Sequence, residues 1–478
     1  MGSGQVTTSS VPFECQGKHV TVAGLGVSGV PAAKVLHGLG AKVTVVNDGD
    51  DARAREQAAG LEALGITVRL GDGDTLPEGT ELIVTAPGWR PDKPLFAAAD
   101  EAGVPVWGDV ELAWRLRKPG AAPWLAVTGT NGKTTTVQML AAILKAAGLR
   151  TAAVGNIGVS LLDAVLGEEE YDVLAVELSS YQLHWAPSLR AHSAAVLNLA
   201  PDHLDWHGSM EAYARDKGRV YEGNRVACVY NVADKATEDL VREADVEEGC
   251  RAVGFTLGTP GPSQLGVVEG LLVDRAFVEN RQKNAQELAE VSDVRPAAPH
   301  NIANALAAAA LARAYGVPAG AVREGLRAFT PDAHRIAHVA DLDDVAYVDD
   351  SKATNTHAAE ASLAAYESIV WIAGGLAKGA TFDELVAGSA KRLRGAVLIG
   401  RDRALIREAL ARHAPEVPVV DLDRTDTGAM LQAVQEAKRL ARPGDTVLLA
   451  PACASMDMFA NYDKRGDAFA QAVRELGA

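Results

Sequence analysis

Short runs of Val, Ala, Leu and Ile recur along this chain, each closed by Gly or a turn residue and followed by a longer Ala-rich stretch. A run that is apolar on both faces belongs in a parallel sheet covered on both sides, and parallel strands need crossover helices. The alternation therefore commits the chain to an α/β fold with doubly wound sheets. Val20–Ala23, Lys42–Val46 and Leu82–Thr85 read as strands of a first block, with Ser28–Leu39 as a helix. The Pro-, Gly- and Ala-rich segment Arg117–Pro123 interrupts the pattern, and Trp124–Thr128 opens a second block. Its strands continue at Val173–Val176, Ala194–Leu197 and Val226–Val229, its helices at Thr134–Ala147 and Ile302–Tyr315. The Gly-rich Thr256–Asp293 segment reads as hairpins on the edge of that block. A turn at Phe329–Ala333 starts a third, with strands at Ala346–Val348, Ile369–Ala373, Ala396–Ile399 and Thr446–Leu449. At roughly 100–200 residues per domain, the length also favours about three domains.

Composition narrows the function. With 46 Lys+Arg against 62 Asp+Glu, the net charge of −16 lacks the basic footprint of a nucleic-acid binder. The four cysteines are scattered, with no C-x-x-C pair, so neither a disulfide framework nor a structural zinc is expected and a reducing cytoplasm is. Met1–Ser10 lacks the basic and apolar regions of a signal peptide, and no run is long enough to span a membrane.

The most informative motif is Thr128-Gly129-Thr130-Asn131-Gly132-Lys133-Thr134-Thr135, which leaves an apolar strand and opens a helix. Small residues let backbone N–H groups wrap a phosphate, the helix N-terminus is partially positive, and Lys133 adds a full charge. Thr134 stands where a hydroxyl binds Mg²⁺. Val127 occupies the first glycine position of the strict Walker pattern, so the loop is a variant. Gly24-Leu25-Gly26-Val27-Ser28-Gly29 resembles a dinucleotide fingerprint, with Asp48 after the next strand placed for ribose hydroxyls. Glu177-Leu178-Ser179-Ser180 ends another strand, where an acid can hold Mg²⁺ as partner of the phosphate loop. His203, between Asp202 and Asp205, is a candidate metal ligand or orienting group. The third block carries His334-Arg335 at its entrance and polar clusters just past three of its strands: Asp349–Asn355, Gly374–Gly379, and Pro451–Ser455 with Tyr462–Gly466. Arg335, Lys352, Lys378 and Arg465 form a local excess of cations in an acidic chain, suited to a substrate with several negative charges.

Taken in order, these segments resemble the Mur ligase family, which includes the folylpolyglutamate synthases. Val127–Thr134, Glu177-Leu178-Ser179-Ser180, His300-Asn301-x-x-Asn304-Ala305, His334-Arg335 and Asp350–Asn355 carry the likeness from about Lys18 onward. The Gly24–Gly29 loop and Pro451–Gly466 point to the branch that joins D-glutamate to UDP-N-acetylmuramoyl-L-alanine. The resemblance implies a Rossmann-like UDP-sugar domain over 1–111, a central P-loop-type ATP-binding domain over 112–331 and a Rossmann-like amino-acid-binding domain over 332–478. It implies ATP and two Mg²⁺ sites, an acyl-phosphate intermediate, a cytoplasmic monomer with small-molecule substrates, and closure of the third domain.

By position, the resemblance puts Gly129, Thr130, Asn131, Gly132, Lys133, Thr134, Thr135, Asn301, Asn304, Arg335 and Asp350 on ATP. Val27, Ser28, Asp48, Pro87, Gly88, Asn156 and His203 fall to the UDP-sugar. Lys352, Thr354, Lys378, Ser455 and Tyr462 face D-glutamate, Tyr462 replacing the family's Phe and Arg465 standing nearby. Thr134, Glu177, His203 and a carbamylated Lys217 would hold metal, and Lys133, His203, Lys217 and Lys352 would be catalytic. Without the resemblance, Lys217 reads as an ordinary helix-surface lysine. Three other readings compete: an NAD-dependent oxidoreductase, prompted by Gly24–Gly29, a non-enzymatic nucleotide-binding regulator, and a folylpolyglutamate synthase, against which the Gly24–Gly29 block before the ATP loop argues. The first leaves Lys133 and the third block unexplained.

Overall fold

The computed structural model describes residues 14–424, 426 and 428–477; the polar segment Met1–Ser10 and most of the leader lie outside them. Three sheets organise the chain. The first contains β1 (His19–Ala23), β2 (Lys42–Asn47), β3 (Thr67–Leu70), β4 (Leu82–Thr85) and β5 (Val106–Gly108), all parallel, in the order β3-β2-β1-β4-β5. The order reverses between β1 and β4, which opens a crevice at their carboxyl ends, the usual ligand position in such sheets. The loops Gly24–Gly29 and Ala86–Gly88 leave those two ends.

The second sheet has nine strands: β6 (Trp124–Thr128), β7 (Ala153–Gly155), β8 (Leu174–Glu177), β9 (Ser193–Val196), β10 (Ala227–Asn231), β11 (Arg251–Phe255), β12 (Gln264–Val268), β13 (Leu271–Asp274) and β14 (Gln286–Glu290). β6 lies between β9 and β8, so the chain leaves the fully buried centre of the sheet straight into the phosphate loop. The Gly-rich segment expected as edge hairpins forms β12, β13 and β14, whose two pairings are antiparallel.

The third sheet contains β15 (Ala337–Leu342), β16 (Val345–Asp349), β17 (Ile369–Gly374), β18 (Leu393–Ile399), β19 (Val419–Asp421) and β20 (Thr446–Leu449), in the order β15-β16-β20-β17-β18-β19. Only β15 runs antiparallel to its neighbour. Alternate residues feed opposite cores: Trp371 and Ala373 pack on one face, Val370 and Ile372 on the other. That is the period of two expected of a strand buried on both sides. By packing, the described residues fall into two units, one holding residues up to Asp293 with Ala303–Ala328, the other Val294–Ile302 with Phe329 onward.

The apolar central strands lie within one or two residues of their expected bounds, except β18, which starts at Leu393, three residues before the expected Ala396. β3, β5, β7, β11, β15 and β19 were not expected; β11 opens on Arg251 and carries Gly254, so no continuous apolar run marks it. β5, β7 and β19 have only three residues each, and β3 and β15 are edge strands whose exposed polar positions break the apolar run.

Arg465 departs from its expected role. Instead of joining an anion-binding group of cations, its side chain is 1% exposed. Its Nε donates to Ser351 Oγ at 3.0 Å, Nη2 to Ser351 O at 2.9 Å and Nη1 to Cys453 O at 3.1 Å. Burial pulls the guanidinium down to about 10. The residue is a clamp that ties the loops after β16 and β20 to the helix Tyr462–Gly477. Arg465→Ala strands buried carbonyls, and about 3 kcal/mol of stability should go with them. An unchanged urea unfolding midpoint would refute the clamp.

Candidate active site

The phosphate loop is built by glycine placement. Gly129 has φ +149° and a Cβ there would stand 3.0 Å from the Leu197 side chain; Gly132 has φ +83° and caps the helix Lys133–Ala146. Only glycine enters such a backbone without strain. The loop is braced from the next strand end: Thr130 N–H donates to Asn198 O at 3.0 Å, Asn131 N–H to Asn198 Oδ1 at 2.9 Å, and Asn198 Nδ2 to Asn131 O at 3.1 Å. The Thr130 hydroxyl is held among Ala200 and the Tyr213 hydroxyl. Lys133 folds back over the loop, its Nζ donating to Gly129 O at 2.8 Å and Thr130 O at 2.9 Å. Thr134 and Thr135 start the helix, and the Asn304 side chain packs against Gly132.

Lys217 is not a surface lysine. It is 2% exposed, with Nζ donating to Gly129 O at 2.8 Å and the ammonium 4.7 Å from the Tyr213 ring centroid. Burial, then the charge of Lys133, hold it well below its ordinary range. Glu177, the last residue of β8, is 2% exposed. Its Oε1 accepts from Asn156 Nδ2 at 3.0 Å, while Oε2 is buried without a protein donor. Asn156, expected beside the sugar, thus orients Glu177. His203 sits at a left-handed turn with φ +55°, beside Asp202 and 4.9 Å from the Tyr181 ring. Burial lowers its basicity, and Lys133 and Lys217 lower it further.

In the first sheet's crevice, Gly29 packs so tightly that a Cβ would strike Gly24 O. Leu25 N–H donates to Asn47 Oδ1 at 3.1 Å, and Val27 is 88% exposed at the loop tip. Ser28 Oγ donates to Asp109 Oδ2 at 3.1 Å. Asp48 and Asp74 share the ammonium of Lys93, at 2.9 and 2.8 Å. Gly88, next to Pro87, accepts from the Trp206 indole at 3.3 Å, and Arg90 Nη1 donates to Asp205 O at 2.7 Å. Those two bonds join the crevice to the loop that carries His203.

In the second unit, Asn301 Nδ2 donates to Pro296 O at 3.2 Å. Arg335 is mostly buried, 4.0 Å from Asp332. Burial raises Asp350 to about 6, and its oxygens accept from the Ser362 hydroxyl and the Ile336 N–H. The Lys352 ammonium lies 3.9 Å over the Tyr462 ring, Thr354 N–H bonds Lys352 O at 2.8 Å, Lys378 is exposed and Ser455 is buried.

Residues 127–312 match the Mur ligase middle domain, and residues 334–453 the Mur ligase glutamate ligase domain. Over 473 residues the chain is 90% identical to the UDP-N-acetylmuramoylalanine–D-glutamate ligase of Streptomyces coelicolor, covering 98% of this chain and 100% of that protein. The chain belongs to the Mur ligase family. It is 60% identical to the enzyme of the same name from Thermobifida fusca, over 97% of this chain and 100% of that one. The Mur ligase fold is seen again in the crystal structure of UDP-N-acetylmuramate–alanine ligase MurC from Thermotoga maritima, at 19% identity and a TM-score of 0.55, covering 96% of this chain and 99% of that one. This Mur ligase is an enzyme, and the oxidoreductase and regulator readings give way.

Sequence reasoning missed the side chains that support the Mur ligase site. Asp216, 3% exposed, receives His184 Nδ1 and His207 Nδ1, each at 2.9 Å. Burial works to raise its carboxyl, but the two imidazole bonds outweigh it and hold the group at about 2. His207 Nε2 meets Ser180 Oγ at 3.0 Å. This network fixes the turn that ends in Lys217 against the loop after Glu177. Asp216 adjoins Lys217 in sequence, but nothing local shows that His184 and His207 converge on it.

Proposed function

We propose that this chain forms the amide bond between UDP-N-acetylmuramoyl-L-alanine and D-glutamate through an acyl phosphate made from ATP. The enzyme is an ATP-dependent ligase of peptidoglycan precursor synthesis. The observation that carries the chemistry is the meeting of Lys133, Lys217 and the donorless Glu177 oxygen around one phosphate loop.

A carboxylate resists attack because its carbon already bears anionic oxygens, and activating it brings two anions together. Positive charge must hold them. On this reading Lys133 exchanges its bonds to Gly129 O and Thr130 O for the β- and γ-phosphates. Gly129, Thr130, Asn131, Gly132 and Thr135 present the backbone around them, with Asn301 and Asn304 at the adenine end. The free oxygen of Glu177 fits a divalent cation, with Thr134, His203 and a carbamylated Lys217 completing the donors. Among the described residues no three His, Cys, Asp or Glu side chains form a preformed metal cluster; the reading draws on hydroxyl, carbamate and phosphate oxygens instead. When bound, Mg²⁺ would supply the charge screening between phosphate and carboxylate.

Lys217 suits carbamylation: burial and the charge of Lys133 disfavour its ammonium, the neutral amine is the form that reacts with CO₂, and the product is an anionic oxygen donor. Val27, Ser28, Asp48, Pro87 and Gly88 would take the uridine diphosphate, with Asn156 and His203 on the sugar side. Arg335 would hold phosphate and Asp350 the ribose, releasing one of its internal bonds. Lys352, Thr354, Lys378, Ser455 and Tyr462 would receive D-glutamate. Among the described residues no helix is long and apolar enough to cross a membrane; a cytoplasmic monomer is part of the proposal. The test is ATP-dependent phosphate release with a panel of amino acids. Release is expected only with both UDP-N-acetylmuramoyl-L-alanine and D-glutamate, and release with L-glutamate or without the nucleotide sugar would overturn the reading.

A further inference from the structure

Two cysteines with no part in the ligase chemistry lie together in the central sheet. Cys228 is the second residue of β10, and Cys250 immediately precedes β11, the parallel neighbour of β10. In that register Cys228 faces Ala252, so Cys250, two residues earlier, falls on the same side of the sheet. The sulfurs are 3.9 Å apart and both thiols are free. Cys228 is 2% exposed, whereas Cys250 is half-buried. Of the four cysteines it alone is not buried; Cys15 and Cys453 are.

We propose that Cys228 and Cys250 are a reversible thiol–disulfide site, oxidised by a hydroperoxide that enters at Cys250. The roles follow from access and from the contact itself. An oxidant arriving from solvent meets Cys250 first, and the resolving thiol already touches it. With the buried Cys228 thiol as donor, the contact between the sulfurs favours the Cys250 thiolate, while that same contact and burial raise the Cys228 thiol. The Cys250 thiolate attacks the peroxide oxygen, the O–O bond breaks, and the sulfenic acid forms as alkoxide or hydroxide departs with a proton from solvent. Cys228 then attacks the sulfenic sulfur, the S–O bond breaks, and the hydroxyl leaves as water with the Cys228 proton. Two thiols are oxidised by two electrons and one peroxide is reduced. The sulfurs must approach to about 2.05 Å. Cys250 lies outside the strand and can make that movement without breaking the β10–β11 ladder.

The test uses the full chain, folded, exposed to hydrogen peroxide and then alkylated and mapped by mass spectrometry. The expected result is a linked pair of peptides carrying Cys228 and Cys250, two hydrogens lighter, with two of the four thiols gone and both restored by dithiothreitol. In Cys228→Ser the link disappears and Cys250 proceeds to irreversible sulfinic acid. Cys250→Ser should leave Cys228 reduced under the same dose. The proposal is overturned by sulfinic Cys250 without a link in the unsubstituted chain, by a link involving Cys15 or Cys453, or by unchanged thiols. None of these readouts depends on ligase turnover.

Discussion

Lys217→Ala should abolish phosphate release, by about 10³-fold or more, while ATP still binds the loop. The alanine removes a buried side chain that reaches Gly129 O from inside the protein. A buried ammonium there would add a second positive charge beside Lys133, and the protein disfavours it through burial and that repulsion. A carbamate instead places an anionic oxygen donor beside Glu177, which also has an oxygen to offer. A small carboxylate such as formate should therefore restore part of the lost rate in Lys217→Ala. Lys217→Arg should not recover, because a guanidinium stays charged and cannot be carbamylated. A fully active alanine variant, or one indifferent to added carboxylate, would rule out the carbamate.

Lys133→Met should lower single-turnover phosphate release by about 10³-fold. Here ATP affinity should weaken as well, since the lysine is the full positive charge of the loop. Its two bonds to Gly129 O and Thr130 O keep the ammonium at the mouth of the loop before the nucleotide arrives. The methionine keeps the stem and removes the charge, so the loop backbone should survive. Nucleotide titration and rapid-quench phosphate release separate the two losses. A variant that bound ATP normally and turned over within tenfold of the unsubstituted enzyme would refute the role.

Much of this protein was legible before folding because its signals are local. β1, β4, β6, β17 and β20 are nearly all apolar, and such runs can only be central parallel strands. The edge strands were lost because β3 and β15 mix exposed polar residues into short segments. The phosphate loop was legible for a different reason: Gly, Lys and Thr at fixed spacing after a strand leave one backbone path. Arg465 shows the limit. As a sequence it was one cation among several, and as a structure it is spent on Ser351 and Cys453.

The chain's sequence alone determined three α/β blocks, the phosphate loop, and the family to which their order belongs. Periodicity and motif spacing act between residues a few positions apart, so they survive in one dimension. Only the tertiary structure decided that Lys217 is buried and poorly basic, that Asn156 holds Glu177, and that His184 and His207 grip Asp216. Only it brought Cys228 within 3.9 Å of Cys250. Burial, electrostatic coupling and hydrogen bonding depend on which distant segments meet, and that meeting is set by how the strands are ordered in their sheets.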